Sequence, residues 1–304
     1  MRSAAMGAFA AAEKLEIDAG GVRIFARRLG SGMPLVLLHG FPQTHLMWRD
    51  IAPILAKQFT VICADLRGYG RSACPPSSPD HSPYSKRAMA ADIVALMKNL
   101  GFARFLIAGH DRGARVAYRL ALDHPDAVAA IAVLDVLPIS EVWRHADRRI
   151  IGFWPFALLA QPAPLPERLI AGAPDAVIDN ALGNWGSPRE TFPAEVRDAY
   201  IEALRDADHV HAICEEYRAA ATIDDEHDTA DIRAGRRITC PLLALWSGNG
   251  PVGAWYTERG GPLAIWRQWA INVDGKPVDG GHFFAEEKPE ETAEELLRFF
   301  ADAR

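Results

Sequence analysis

The run Phe105-Leu106-Ile107-Ala108-Gly109-His110-Asp111-Arg112-Gly113-Ala114-Arg115 decides the architecture. Four apolar residues read as a strand buried on both faces, and a helix over Ala114 to Leu122 follows the two glycines. Glycines on either side of Asp111 permit a sharp strand–turn–helix bend whose neighbouring backbones come close. The bend projects the central side chain at the top of a sheet. Asp stands where such a bend usually carries Ser, and that changes the chemistry. A carboxylate with an ordinary pKa of about 3.9 is already ionised at neutral pH. It can displace a leaving group at a saturated carbon and form an ester, which base-activated water then hydrolyses at the Asp carbonyl. Carbon–halogen cleavage and epoxide opening both fit. The plainer alternative is an Asp capping the helix that follows.

Working outward, Leu15 to Arg28 reads as a hairpin turning at Gly20-Gly21. Short apolar runs follow at Leu35–Leu38, Val61–Ala64, Phe105–Ala108, Ala130–Leu134 and Leu242–Trp246. Helical stretches alternate with them, including Lys86 to Leu100 and a last helix from Pro289. This alternation predicts an α/β protein with a doubly wound, mostly parallel sheet. The rhythm breaks between about Pro138 and Asp231, where Trp143, Trp154, Phe156, Trp185 and a proline string replace the buried-strand pattern. We read 138–231 as an inserted helical cap, with 1–137 and 232–304 as the core. Such a cap would close a pocket over the carboxyl ends of the strands.

Of 304 residues, 49% are hydrophobic and 24% charged, which excludes wholesale disorder. The net charge of −6 gives no electrostatic reason to expect nucleic acid, and no run of 18 apolar residues suits a membrane span. Cys63, Cys74, Cys214 and Cys240 form no C-x-x-C pair and no Cys/His cluster at metal-ligand spacing, so neither a metal nor another cofactor is expected. Reduced thiols fit a cytoplasmic protein, with Cys63 inside a buried strand. Met1 to Ala12 is weak as a signal peptide and reads as a frayed extension.

His282, in Gly280-Gly281-His282-Phe283-Phe284 before the last helix, is the candidate base. His110, His124, His145, His209, His211 and His227 read more simply as surface or cap residues. The acid that orients the base could follow either of two strands. After Leu242–Trp246 no carboxylate occurs before Glu258, whereas Asp135 directly follows Ala130–Leu134. Asp135 is therefore chosen over the strand-end turn role such a residue could also fill. Arg112 adjoins Asp111 and Arg115 lies one helical turn on. Two cations beside a nucleophile suit an anionic substrate, whose carboxylate would otherwise be repelled by about 4 kcal/mol at about 4 Å. Arg is shaped to grip a carboxylate bidentately, although surface ion pairing is the alternative.

These residues resemble the fluoroacetate/haloacetate dehalogenase family of the α/β-hydrolase superfamily. The matching segments run nearly end to end: His39-Gly40-Phe41-Pro42-Gln43-Thr44, Asp65-Leu66-Arg67-Gly68-Tyr69-Gly70, the Asp111 bend, Leu134-Asp135, Gln161-Pro162-Ala163-Pro164, Cys214-Glu215-Glu216-Tyr217-Arg218-Ala219 and Gly281-His282-Phe283-Phe284. The first two occur across epoxide hydrolases as well. Asp-Arg-x-x-Arg joined to the two cap segments is specific to the haloacetate group.

The resemblance implies an α/β-hydrolase fold with Asp111 as nucleophile, His282 as base and Asp135 as its partner. Arg112 and Arg115 would bind the substrate carboxylate. Phe41 would offer its backbone N–H to an oxyanion, with His39 and Gly40 shaping that loop. A short 2-halo carboxylate and water would be the substrates, and a homodimer the assembly. One departure matters. Where the family carries a His-Trp pair that donates hydrogen bonds to the halide, this chain has Pro155 and Phe156, while Tyr217 matches the family's Tyr. Fluoride, strongly hydrated and a poor leaving group, most needs such donors, so chloro and bromo substrates are expected to be favoured. Trp154 and Trp185 are the nearby residues with an N–H that could stand in, although both also suit packing. The rival readings are an epoxide hydrolase, for which Tyr217 and Tyr200 are the candidate proton donors, and a non-catalytic binding protein on the same fold.

Overall fold

The computed structural model describes residues 7–302. Among them, eight strands form one sheet: β1 (Glu13–Asp18), β2 (Arg23–Leu29), β3 (Met33–Leu38), β4 (Phe59–Ala64), β5 (Phe105–His110), β6 (Val128–Leu134), β7 (Leu242–Ser247) and β8 (Val273–Val278). Their order is β1-β2-β4-β3-β5-β6-β7-β8. The β1–β2 and β2–β4 pairs are antiparallel and every other pair is parallel. The β1–β2 hairpin and all five predicted buried strands are present. Strands β4, β5 and β6 are buried along their whole length, because helices cover both faces. Helix α1 (Lys86–Asn99) and helix α2 (Arg112–Asp123) lie on the flanks as predicted.

Register brings the chemistry to one edge. Leu38 pairs with Gly109, His110 with Leu134, and Leu134 with Leu245. The chain therefore leaves β3, β5, β6 and β7 at the same carboxyl-end rim, where ligands of open parallel sheets bind.

Strand β8 and the helices Pro251–Trp255 and Gly261–Trp269 before it were not predicted. Val273-Asp274-Gly275-Lys276-Pro277-Val278 is a polar edge strand carrying Lys and Pro, which blunt an edge against further pairing and hide it from apolar patterning.

Between β6 and β7 the described chain is helical, as the break in rhythm predicted. The principal element there is α3 (Ala207–Ala221). Buried ion pairs lash this cap to the core. Arg119 of α2 donates to Asp228 at 2.7 Å and Asp231 at 2.5 Å, and Tyr118 donates to Asp228 at 2.9 Å. Lys86 at the start of α1 pairs with Glu216 of α3 and gives its backbone N–H to Asp224 at 2.8 Å. Removing one partner of such a pair leaves a buried, uncompensated charge. Helix α4 (Pro289–Ala301) packs on β4, with Phe300 edge-on to Phe59.

The frayed N-terminal extension needs correction. Residues 1–6 lie outside the described residues, but 7–10 are helical and Phe9 is 2% exposed, under the Arg27 guanidinium and against His45. Burial of one large ring anchors this turn. All four cysteines are free, with Cys63 buried in β4. No described helix is long and apolar enough to cross a membrane.

Candidate active site

Asp111 sits at the bend between β5 and α2 with φ 45° and ψ −114°, a backbone conformation that costs about 1–3 kcal/mol for a non-glycine residue. The glycines explain how the chain accommodates it. A Cβ at Gly109 would meet Gly113 O at 2.4 Å, and one at Gly113 would meet His39 O at 2.4 Å. A Cβ at Gly40 would lie 2.5 Å from the Asp111 Cβ. The loop after β3 is thus pressed onto the bend, where Phe41 N–H donates to Asp111 Oδ2 at 3.1 Å. His39 braces that loop from beneath. Its Nε2 accepts from Leu66 N–H at 3.1 Å, so its Nδ1 carries the proton and donates to Gly40 O.

Asp135, at φ 50° just past β6, accepts from His282 Nδ1 at 2.6 Å and from Ser247 N–H at 2.8 Å. The choice of Asp135 over a residue after β7 agrees with this geometry; β7 contributes Ser247 N–H instead. Gly281 lets the His282 loop approach the cap, since a Cβ there would come within 2.2 Å of Ser187 N. Burial lowers the His282 pKa, but the Asp135 hydrogen bond and the Asp135 and Asp111 charges outweigh it and hold the ring above its ordinary 6.5. Burial pushes the Asp111 carboxyl up, yet the charges of His282, Arg112, His110 and Arg115 hold it below the usual carboxylate range.

The arginines, expected as an equal pair, differ. Arg112 is fully buried and its Nε and Nη2 are engaged by the Glu216 carboxylate, at 2.8 and 2.5 Å. Its guanidinium stacks 4.0 Å from the Tyr217 ring centroid, and Nη1 has no acceptor among the described residues. Arg115 is also buried, but its Nε and Nη1 have no acceptor among the described residues. Asp111, Arg115, Asp135 and His282 line one chamber of about 30 Å³, walled by Val136, Leu137, Val142, Phe153, Phe156, Val252, Trp255 and Tyr256. Of these wall residues, sequence reasoning found Phe156 alone. The others lie on segments with no motif, including the unpredicted Pro251–Trp255 helix.

Neither indole stands free for a halide. Trp154 Nε1–H donates to Asn180 at 2.7 Å and Trp185 Nε1–H to Gly152 O at 2.8 Å. Trp185 also touches the candidate base: its ring lies perpendicular to His282 at 5.4 Å, and its carbonyl accepts from His282 N–H. Pro155 and Phe156 present hydrocarbon, and Phe156 packs against the Tyr217 ring and both guanidiniums. Tyr200 points elsewhere, to Glu286. His110, read as a surface or cap residue, is fully buried at the end of β5. Glu216, Gln43 and Glu286 were likewise missed as partners; nothing local marks contacts made across 67 to 243 residues.

A family profile described as the alpha/beta hydrolase fold matches residues 33–289. The chain is 42% identical to a fluoroacetate dehalogenase from Burkholderia sp over 96% of its own length and 95% of that protein. It is 31% identical to a soluble epoxide hydrolase from Corynebacterium sp. over 93% and 96%. A solved structure from Nostoc sp PCC 7120, provisionally described as an α/β hydrolase, superposes with a TM-score of 0.91 at 44% identity, covering 96% of this chain and 99% of that one. With an Asp-bearing bend, an Asp–His pair on the same rim and these relatives, the chain belongs to the fluoroacetate/haloacetate dehalogenase family of the α/β-hydrolase superfamily.

Proposed function

We propose that the protein hydrolyses the carbon–halogen bond of short 2-halo carboxylates, favouring chloride and bromide over fluoride. The observation that carries this reading is Arg115: a buried guanidinium with two nitrogens, Nε and Nη1, lacking acceptors among the described residues, lining a chamber shared with an ionised Asp111. A buried cation without hydrogen-bond partners is costly, and a carboxylate ligand relieves that cost. Arg112, with Nη1 still unengaged, contributes a third donor nitrogen; Glu216 holds it in place.

Phe41 N–H holds Oδ2 of Asp111, so Oδ1 is the attacking oxygen. It bonds to the α-carbon as the halide departs with the bonding pair, leaving an ester on Asp111. Esterification removes one of the charges that raise His282, so the ring becomes easier to deprotonate when water must be activated. His282 Nε2 takes a proton from water, Asp135 stabilises the imidazolium, and hydroxide adds to the Asp111 carbonyl carbon. Oδ2 becomes the oxyanion opposite Phe41 N–H, and collapse releases a 2-hydroxy acid. Halide and one proton are the other products, so charge and atoms balance. In this reading 138–231 is the cap over a core of 1–137 and 232–304.

The preference for the heavier halides rests on Pro155, Phe156 and the engaged indoles of Trp154 and Trp185, which leave Tyr217 as the remaining candidate ring donor. Halide release from fluoro-, chloro- and bromoacetate and 2-chloropropionate tests this. Chloride and bromide release well above fluoride release is expected; equal rates overturn the preference. Hydration of styrene oxide without activity on any haloacid overturns the dehalogenase reading in favour of an epoxide hydrolase.

A further inference from the structure

His110 is a buried titratable group that the proposed reaction leaves unused. Its ring lies 4.6 Å from that of His282, centroid to centroid. Nε2 sits 2.8 Å from the main-chain oxygen of His282, and Nδ1 3.1 Å from the side-chain amide of Gln43. The far end of that amide meets Glu286, whose other oxygen accepts from Arg49 and from Tyr200 at 3.4 Å. Every member of this chain is buried.

Donor counting fixes its direction. A carbonyl oxygen only accepts, so His110 Nε2 must carry a hydrogen. With a neutral imidazole and an ionised Glu286 the chain is one proton short, because one contact would join two acceptors. The extra proton sits on His110 Nδ1, or on Glu286 with the Gln43 amide turned round. In both arrangements Nε2–H donates to the His282 carbonyl. Burial drives the His110 pKa down to about 3 and raises that of Glu286, favouring the Glu286 end.

The loop so held needs holding. Gly280 and Gly281 precede His282, and glycine loses the most conformational freedom on ordering. Besides the ring bond to Asp135, its other ties to the rest of the fold include His282 N–H to Trp185 O at 2.8 Å, Gly281 N–H to Glu287 at 3.0 Å, Phe283 N–H to Ser187 Oγ at 3.1 Å and Asn249 N–H to Gly280 O at 3.3 Å, none of them from the strand that carries the nucleophile.

We propose that His110 is a positioning residue that, through Nε2–H on the His282 carbonyl, fixes the loop bearing the base against the strand bearing Asp111, with Gln43 and Glu286 setting its tautomer. The proposal rests on His282 being the base of ester hydrolysis. Displacement of the nucleophile's carbon target is not base-catalysed, so loss of His110 slows the second half-reaction selectively.

Three variants of the full chain separate the contacts. His110→Phe keeps a ring and no donor. His110→Asn reaches the Nδ1 position, and His110→Gln reaches the Nε2 position. Rapid-quench chloride release from chloroacetate and intact-protein mass are measured for each. For His110→Phe and His110→Asn we expect a burst near one chloride per site, a carboxymethyl adduct on Asp111, and a steady rate lower by about 10²-fold, as a misplacement of about 1 Å can cause. His110→Gln should turn over within a few-fold of the unmodified protein without accumulating adduct. Burst and steady rate slowed together, or His110→Gln no better than His110→Asn, overturns the role. If His110→Phe fails to fold, the Asn and Gln pair decides alone. An unmodified protein that neither releases halide nor carries an adduct overturns the functional reading itself, and the role with it.

Discussion

On the strand side of the chamber, main-chain N–H groups hold both carboxylates. Phe41 N–H holds Asp111, Ser247 N–H holds Asp135, and glycines at 40, 109, 113 and 281 permit contacts that a Cβ would forbid. On the cap side main chain meets the backbone of the base loop, through Trp185 O on His282 N–H and Ser187 N beside Gly281, and side chains do the rest. There Phe156 and Tyr217 pack against guanidiniums, and Glu216 of α3 reaches across to Arg112 and Lys86. The contrast teaches a division of labour. Strand ends of a parallel sheet hold bond-making atoms to fractions of an ångström, which helices joined by loops do less well. The cap supplies the Phe156 and Tyr217 rings and the Glu216 carboxylate that holds Arg112.

The largest effect should come from breaking the strand side. Asp111→Asn removes the attacking carboxylate, and halide release should fall by ~10⁴-fold or more while melting changes little. On the cap-facing side, Arg115→Leu removes two charge-assisted hydrogen bonds of about 1.5–3 kcal/mol each. Initial-rate measurements should find kcat/KM for chloroacetate lower by ~10²–10⁴-fold, with chloroacetamide much less affected. Equal losses on both substrates would contradict a carboxylate role for Arg115.

Glu216→Gln sharpens the comparison from the other direction. It leaves Arg112 and Lys86 without their shared carboxylate, and chemical denaturation should show a loss of about 3–5 kcal/mol.

How much of this was legible depends on range. The bend at Asp111 and the Gly-Gly-His loop are local patterns of glycine, chemistry and an adjoining strand or helix, so a single sequence carries them. The Arg112–Glu216 contact spans 104 residues and leaves no local mark. His110 was misread because a polar residue beside a conspicuous motif has no periodicity of its own, and its partner lies 172 residues away. Strand β8 was missed because edge strands are built from the residues that strand patterning discounts. The pairing of Asp135 with His282 needed a choice between two strand ends, and the lack of a carboxylate after β7 supplied it.

Titration separates the two half-reactions. His282 is held above 6.5, so it stays protonated, and useless as a base, to a higher pH than a free imidazole. Esterification of Asp111 takes away one of the charges that raise it, so steady turnover should fall about tenfold per pH unit below the His282 pKa of the ester intermediate, which lies under that of the free enzyme. Asp111 is held below the usual carboxylate range, so the halide burst should persist at low pH. Quench-flow at pH 5 and 8 checks both. The smallest effect belongs to Trp154→Phe. Its N–H serves Asn180, so halide release should stay within twofold-scale scatter while stability drops by about 1 kcal/mol, read by thermal melting.

The most direct test of a covalent path through Asp111 uses His282→Asn incubated with chloroacetate, digested and sequenced by mass spectrometry. The account predicts stoichiometric chloride release and a stable carboxymethyl ester on the Asp111 peptide. Chloride released over many turnovers with residue 111 unmodified, or an adduct on another side chain, would contradict it.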